Sequence, residues 1–235
     1  MIDFHSHILP AIDDGSRDVK ESVQLLLRLS KQGIDKVIAT PHFYADNESV
    51  EEFFKRRKAS FDMLKPELKD NMPEILLGAE VKYYQGISHL DNLKDLCIQN
   101  SNLLLLEMPF CRWTEYTVKE LTQINNFSGI TVVLAHIERY LKFGNAKFLE
   151  ELLQCGMLMQ ANASFFLDFS TRLKALRMLK KNMIQLIGSD CHGMNRRPPH
   201  IGKAIERISK KMGYGFVEYI SDYENNLLNS NRSII

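Results

Sequence analysis

Short apolar runs and amphipathic stretches alternate along this chain from the first residues onward. Residues 2–5 form a short apolar strand opener. Over 18–33, Val19, Val23, Leu26, Leu27 and Ser30 recur at helical spacing, with Asp18-x-x-Glu21 as a capping pattern and Gly33 as the stop. KVIAT (36–40) predicts a strand, and 48–65 a charged amphipathic helix interrupted at Pro66. The alternation continues with strands over 74–81, 102–108, 130–136, 157–163 and 183–190. Helical stretches fall over 87–98, 114–126, 145–155, 170–181, 200–213 and 216–228.

Near-continuous apolar strands separated by helices imply a parallel sheet covered on both faces. Seven such βα units predict an α/β fold, a distorted TIM-like (β/α)7 barrel, in which functional residues gather at the C-terminal strand ends. An open doubly wound sheet is the alternative, but it would not bring seven strand ends around one pocket. No linker, low-complexity segment or repeat divides the chain, so residues 1–235 are expected to form one domain.

Composition narrows the class. With 45% hydrophobic and 25% charged residues the chain reads as an ordinary globular protein. The formal net charge of +1, from 30 basic and 29 acidic residues, advertises no nucleic-acid or membrane surface. No apolar stretch approaches the roughly 18 residues of a membrane span. Cys97, Cys111, Cys155 and Cys191 show no CxxC or disulfide-framework spacing and read as free thiols. Together with an N-terminus that lacks a basic signal region, this predicts a cytoplasmic protein.

The candidate chemistry lies just after the apolar runs. His5 and His7 close the first run, and Asp14 follows in the next loop. His42 follows VIATP, Glu80 follows ILLGA, Glu107 follows LLLL, His136 follows VVLA, and Asp190 and His192 follow LIGS. Imidazoles and carboxylates converging in one place are what borderline and hard divalent metals select, and such mixed donors accept Mn, Fe, Co or Zn. Taken singly, Glu107 also reads as a lone strand-end carboxylate and Asp14 as a turn residue. Nine such residues in one position relative to successive strands point to a polynuclear metal centre. His89 reads as a surface residue, and His200 as a candidate supporting or substrate contact.

One rival motif stands in the same stretch. Cys191 to Arg197 has C-x5-R spacing, that of cysteine-dependent tyrosine phosphatases. Those enzymes need a low-pKa thiolate in an electropositive loop that leads into a helix. Here Asp190 precedes the thiol and Pro198-Pro199 follow Arg197, which disfavours that mechanism.

The set HSH (5–7), DDG (13–15), TPH (40–42), GAE (78–80), AHIERY (135–140), SDCH (189–192) and RRPPH (196–200) resembles the polymerase and histidinol phosphatase (PHP) superfamily. More narrowly, it resembles the bacterial manganese-dependent protein-tyrosine phosphatases that act on tyrosine kinases of capsule and exopolysaccharide export. The match runs from residue 1 to about 215. The resemblance implies a PHP-type barrel, phosphomonoester hydrolysis, and three divalent ions, Mn2+ by expectation. It groups His5, His7, Glu80 and Asp190 on one ion, Glu80, Glu107 and His136 on a second, and Asp14, His42 and His192 on a third. Arg139, Arg196 and Arg197 are then the candidate phosphoryl-binding residues; apart from the resemblance, a salt bridge explains the first and a solvated loop the other two. The implied partner is a phosphotyrosine segment of a bacterial tyrosine kinase. A PHP-type small-molecule phosphatase acting on an ester such as histidinol phosphate, an amidohydrolase-like hydrolase, and an inactive metal-stabilised regulator are the other readings.

Overall fold

The computed structural model describes residues 1–229; residues 230–235, the end of the expected domain, lie outside the described residues. Its strands are β1 (Ile2–Ser6), β2 (Lys36–Ala39), β3 (His42–Phe43), β4 (Glu74–Leu77) and β5 (Glu80–Lys82), then β6 (Leu103–Glu107), β7 (Thr131–Leu134), β8 (Leu158–Asn162) and β9 (Leu186–Gly188). They pair in parallel in the orders β1-β2-β4 and β3-β5-β6-β7-β8-β9. Cys191 returns to Ser6 through a parallel bridge, with the His7 N–H donating to the Cys191 carbonyl (2.9 Å) and the Asp190 N–H to that of His5 (2.8 Å). The result is a curled parallel sheet, a distorted TIM-like barrel.

Two expected strands are each broken in two. The run at 36–40 ends at Ala39 and resumes as β3, and the run at 74–81 breaks at Gly78-Ala79 before β5. Pro41 has no N–H to give the ladder. The Gly78 N–H still finds the Ala39 carbonyl (2.8 Å) and the Glu80 N–H that of Pro41 (3.0 Å), so pairing continues through the bend. This bend turns His42 and Glu80, which are register partners, toward the barrel mouth.

The helices are α1 (Val19–Ser30), α2 (Val50–Leu64), α3 (Glu115–Phe127), α4 (Ala146–Gln154), α5 (Ala163–Leu167), α6 (Arg172–Lys180), α7 (Ile201–Met212) and α8 (Tyr214–Asn229). Asp18 caps α1 by accepting the Glu21 N–H, but the Glu21 carboxylate turns away to the Arg17 and Met194 amides, so the capping pattern is only half formed. The expected helix over 87–98 is absent. Gly86 (φ 98°) and Asn92 (φ 62°) take left-handed conformations there and leave two short 3₁₀ turns, Ile87–His89 and Leu93–Leu96. Short α5 fills the interval between the expected strand over 157–163, from which it takes Ala163, and the expected helix over 170–181.

Alternation along the strands sorts the core. Phe4, Ile38, Leu105, Val133, Leu158 and Leu186 fill the barrel interior, joined by Leu228 of α8, which closes the N-terminal end. The opposite faces bury Val37, Leu104, Val132 and Ile187 with Leu25, Leu121, Leu152 and Ile208 of the surrounding helices. Each fully buried Leu, Ile, Val or Phe is worth about 1.5–3 kcal/mol relative to exposure.

Candidate metal centre

β1 carries an irregularity that decides where its histidines go. Asp3 pairs with Val37 and Ser6 with Ala39, so Phe4 and His5 together face Ile38 alone. A bulge of this kind puts two successive side chains on one face. Phe4 therefore packs in the barrel while His5 sits directly above it, and His7 follows on the same side two residues on. His136 takes a left-handed conformation (φ 34°) two residues after β7, and Asp190 (φ 50°) does so two residues after β9, next to His5 of β1. Such backbone is costly for residues other than glycine and is concentrated at functional sites.

All nine predicted side chains meet at the C-terminal end of the barrel. Glu80 is at their centre: one carboxylate oxygen lies 2.8 Å from His136 Nε2, and the other 3.2 Å from both His5 Nε2 and His7 Nε2 and 3.1 Å from His42 Nδ1. Three overlapping sets place one donor atom each within 4.8 Å of one another: His7, Asp14, His42 and His192; His5, His7 and Asp190; His42, Glu80 and Glu107. His136 Nε2 lies 3.3 Å from Glu107. The sets share members more than the expected grouping, with His7 and His42 each in two of them.

The charge distribution calls for cations. Burial alone would raise the pKa of Glu80, yet the surrounding histidines, His5 foremost, hold it well below the usual carboxylate range. Burial opposes charge on His7 and His136 too, but Asp13 and Glu80 raise the first to about 10, and Glu107 and Glu80 raise the second to about 9. The field that retains protons on these rings equally favours metal ions, whose binding would displace those protons. Burial and the neighbouring His7 lower His192 to about 4, so its imidazole is already neutral. His42 Nδ1 and His192 Nε2 are buried beside carboxylate oxygens, of Glu80 at 3.1 Å and of Asp14 at 3.3 Å, without a well-directed hydrogen bond, as expected of nitrogens that share an ion with those carboxylates. The donor set fits divalent ions.

Cys191 has none of the properties of a nucleophile. It is fully buried, and burial with Asp3 and Asp190 nearby pushes its thiol well above the ordinary range. The next helix, α7, begins only at Ile201, so the C-x5-R stretch does not lead directly into a helix.

A sequence profile of the family described as capsular polysaccharide synthesis, CpsB/CapC, matches residues 1–229. The chain belongs to the CpsB/CapC family. Among its relatives, tyrosine-protein phosphatase YwqE of Bacillus subtilis strain 168 is 31% identical over 91% of this chain and 85% of its own length. Tyrosine-protein phosphatase CpsB of Streptococcus pneumoniae is 31% identical over 91% of each. A crystal structure from a study of YwqE from Bacillus subtilis and CpsB from Streptococcus pneumoniae, described as unique metal-dependent tyrosine phosphatases, superposes with a TM-score of 0.84. It shares 26% identity and covers 100% of this chain and 96% of its own.

This CpsB/CapC chain also supports its histidines with residues that strand-end reading did not find. His7 Nδ1 lies 2.7 Å from Asp13, which also accepts the Gly15 and His42 amides. His5 Nδ1 lies 3.3 Å from Gln160 Oε1, which accepts the His136 N–H at 2.7 Å. Gln160 Nε2 donates to Asn162 Oδ1, and Asn162 Nδ2 to Asp190. His192 Nδ1 faces the Asp190 carbonyl (2.9 Å), and His136 Nδ1 the Tyr140 hydroxyl (3.3 Å). Fixing the far nitrogen leaves Nε2 of each ring aimed into the centre. The available signals were slight: the first aspartate of DDG, and two polar residues inside the apolar run MLMQANA.

The three candidate arginines separate. Arg139 and Arg197 both bond Asp190, and Arg197 also reaches Asp14 (3.4 Å). Arg196 is exposed and does not bond Asp190; with Arg17 and Glu21 it lines a cavity that Asp14 and His192 of the cluster also border. His200 sits at the N-cap of α7 near Arg28 and Lys203, away from the cluster, and His89 is exposed.

Proposed function

We propose that the nine side chains hold three divalent ions, Mn2+ by resemblance, and that the substrate is a phosphotyrosine on a flexible segment of a bacterial tyrosine kinase of capsule or exopolysaccharide synthesis. The underlying chemistry is that of the family: the chain is a metal-dependent protein-tyrosine phosphatase, a phosphoric monoester hydrolase. Residues 1–235 are read as one domain, acting in the cytoplasm. Among the described residues no helix is long and apolar enough to cross a membrane, and the four cysteines are free thiols.

His5, His7 and Asp190, with His136, Glu107, His42, Asp14 and His192 around the shared Glu80, would hold the ions. When bound, such ions polarise a phosphoryl oxygen and lower the pKa of a water toward about 7. The protein adds the rest. Arg139 and Arg197 converge on Asp190 at the rim and are placed to take the phosphoryl oxygens, a geometry suited to the guanidinium fork. Asp13, Gln160 and Tyr140 keep the imidazoles oriented through turnover.

The observation that carries this reading is the convergence of four imidazoles on the buried Glu80 carboxylate beside two arginines. It is tested by hydrolysis of phosphotyrosine peptides, phosphoserine peptides and histidinol phosphate by the Mn2+-loaded protein. Phosphotyrosine is expected to give the highest kcat/KM. A value for histidinol phosphate at least about tenfold above every phosphotyrosine peptide would move the chain to small-molecule hydrolysis.

A further inference from the structure

Five aromatic residues follow the predicted ligands in sequence: Phe43, Tyr44, Phe110, Trp113 and Tyr140. Phe43, Trp113 and Tyr140 are buried and serve the core. Tyr44 is only partly buried, but its ring already stacks on His42 (5.3 Å between centroids, 26°) and carries the Lys82 ammonium at 5.2 Å. Phe110 is different. It is 47% exposed, and of the large exposed side chains among the described residues it is the one with ring contacts to the centre. Its ring lies 6.0 Å from that of His136 and stacks on Tyr140 at 5.9 Å and 25°. The Arg139 guanidinium carbon lies 5.9 Å from its centroid.

We infer that Phe110 is the specificity-determining wall for the aromatic leaving group, the surface on which the phosphotyrosine ring lies while its phosphoryl group is held by Arg139 and the metal centre. This rests on the phosphotyrosine reading above. In an aryl phosphate one oxygen separates the phosphorus from the ring, so a phosphoryl group on Arg139 brings that ring to the flat apolar surface beside the arginine. Phosphoserine puts a methylene at this point and has no face to stack. Burying the open side of Phe110 under a second ring gains both area and an offset aromatic pair. Tyr140 backs the wall: its hydroxyl accepts the Met108 N–H at 2.9 Å, which fixes the ring under Phe110.

The test compares wild type with Phe110→Ala, Phe110→Leu and Phe110→Tyr, all Mn2+-loaded. It uses one peptide sequence carrying either phosphotyrosine or phosphoserine, with metal content measured for each protein. In Phe110→Ala the ratio of kcat/KM for phosphotyrosine over phosphoserine is expected to fall about tenfold, mostly through KM. Phe110→Leu, which keeps bulk without a flat face, should fall in the same direction, and Phe110→Tyr should recover most of the ratio. An unchanged ratio in both Ala and Leu variants overturns the proposal, as does an equal loss on both peptides, which would mark Phe110 as a support for Arg139 or His136. A wild-type protein that prefers phosphoserine overturns the phosphotyrosine reading itself; wild-type preference for phosphotyrosine with an indifferent Phe110 overturns only the wall.

Discussion

Glu80 is the side chain on which the centre turns. Its two oxygens touch His5, His7, His42 and His136, and it remains a carboxylate despite burial. Glu80→Gln keeps the shape and removes the charge, so bound metal and turnover should fall together, with kcat down at least about a hundredfold. Elemental analysis beside steady-state kinetics reads both; normal metal content with normal kcat would remove Glu80 from the ligand set. Asp13 acts one bond further out, through His7 Nδ1. Asp13→Asn should weaken metal affinity about 10–100-fold while adequate Mn2+ restores much of the rate. A metal titration with undiminished affinity would limit Asp13 to shaping its turn. The nine candidate donors were recognisable because each lies at or just beyond an apolar run. Asp13, Gln160 and Asn162 were not, because holding another side chain in place depends on a spatial distance that has no fixed sequence spacing.

At the scale of elements, what positions the site is a set of departures from regular β-structure. The bulge at Phe4-His5 turns His5 inward, and the bends at Thr40-Pro41 and Gly78-Ala79 aim His42 and Glu80 at the mouth. The apolar runs made the strands legible, since a strand covered on both faces must be apolar throughout. The breaks stayed hidden because a bent strand buries the same residues as a straight one. Over 87–98 the left-handed Gly86 and Asn92 break the expected helix, although Ile87, Leu93 and Leu96 are still buried. Gly188 of β9 shows how closely the elements meet. A Cβ there would lie 2.5 Å from the His5 Cβ and 2.7 Å from Gln160 Nε2. Gly188→Ala should cost about 1–3 kcal/mol of stability and deplete metal by displacing His5. Unchanged Tm and metal content would mean that the two strands can separate without harm.

Across the whole molecule, the barrel carries its chemistry at one end and a buried carboxyl at the other. Glu224 of α8 is fully buried and accepts the Ile2 N–H at 3.1 Å, tying the last described helix to the first strand. Burial raises its pKa from 4.5 to about 8, against the pull of the Ile2 amide and the N-terminal charge and with Asp3 adding to the rise. Between those values the folded chain keeps a proton that the unfolded chain has lost. Glu224 therefore lowers stability progressively from about pH 5 to about pH 8, by on the order of a few kcal/mol, and no further above that. Glu224→Gln should raise Tm relative to wild type at pH 8–9 and make little difference at pH 5. An equal effect at both pH values would show that Glu224 does not change its proton on unfolding.

The central claim is that metal ions gathered around Glu80, and not the Cys191 thiol, perform the hydrolysis. The most direct measurement is phosphate release from a phosphotyrosine peptide by wild type and Cys191→Ser, each assayed after EDTA treatment and dialysis and again after Mn2+ is restored. Both proteins should be silent when stripped and active when reloaded, with Cys191→Ser keeping most of the wild-type rate. Hydrolysis that survives complete metal removal, or a Cys191→Ser protein that binds its full complement of metal and remains inactive, would contradict the account.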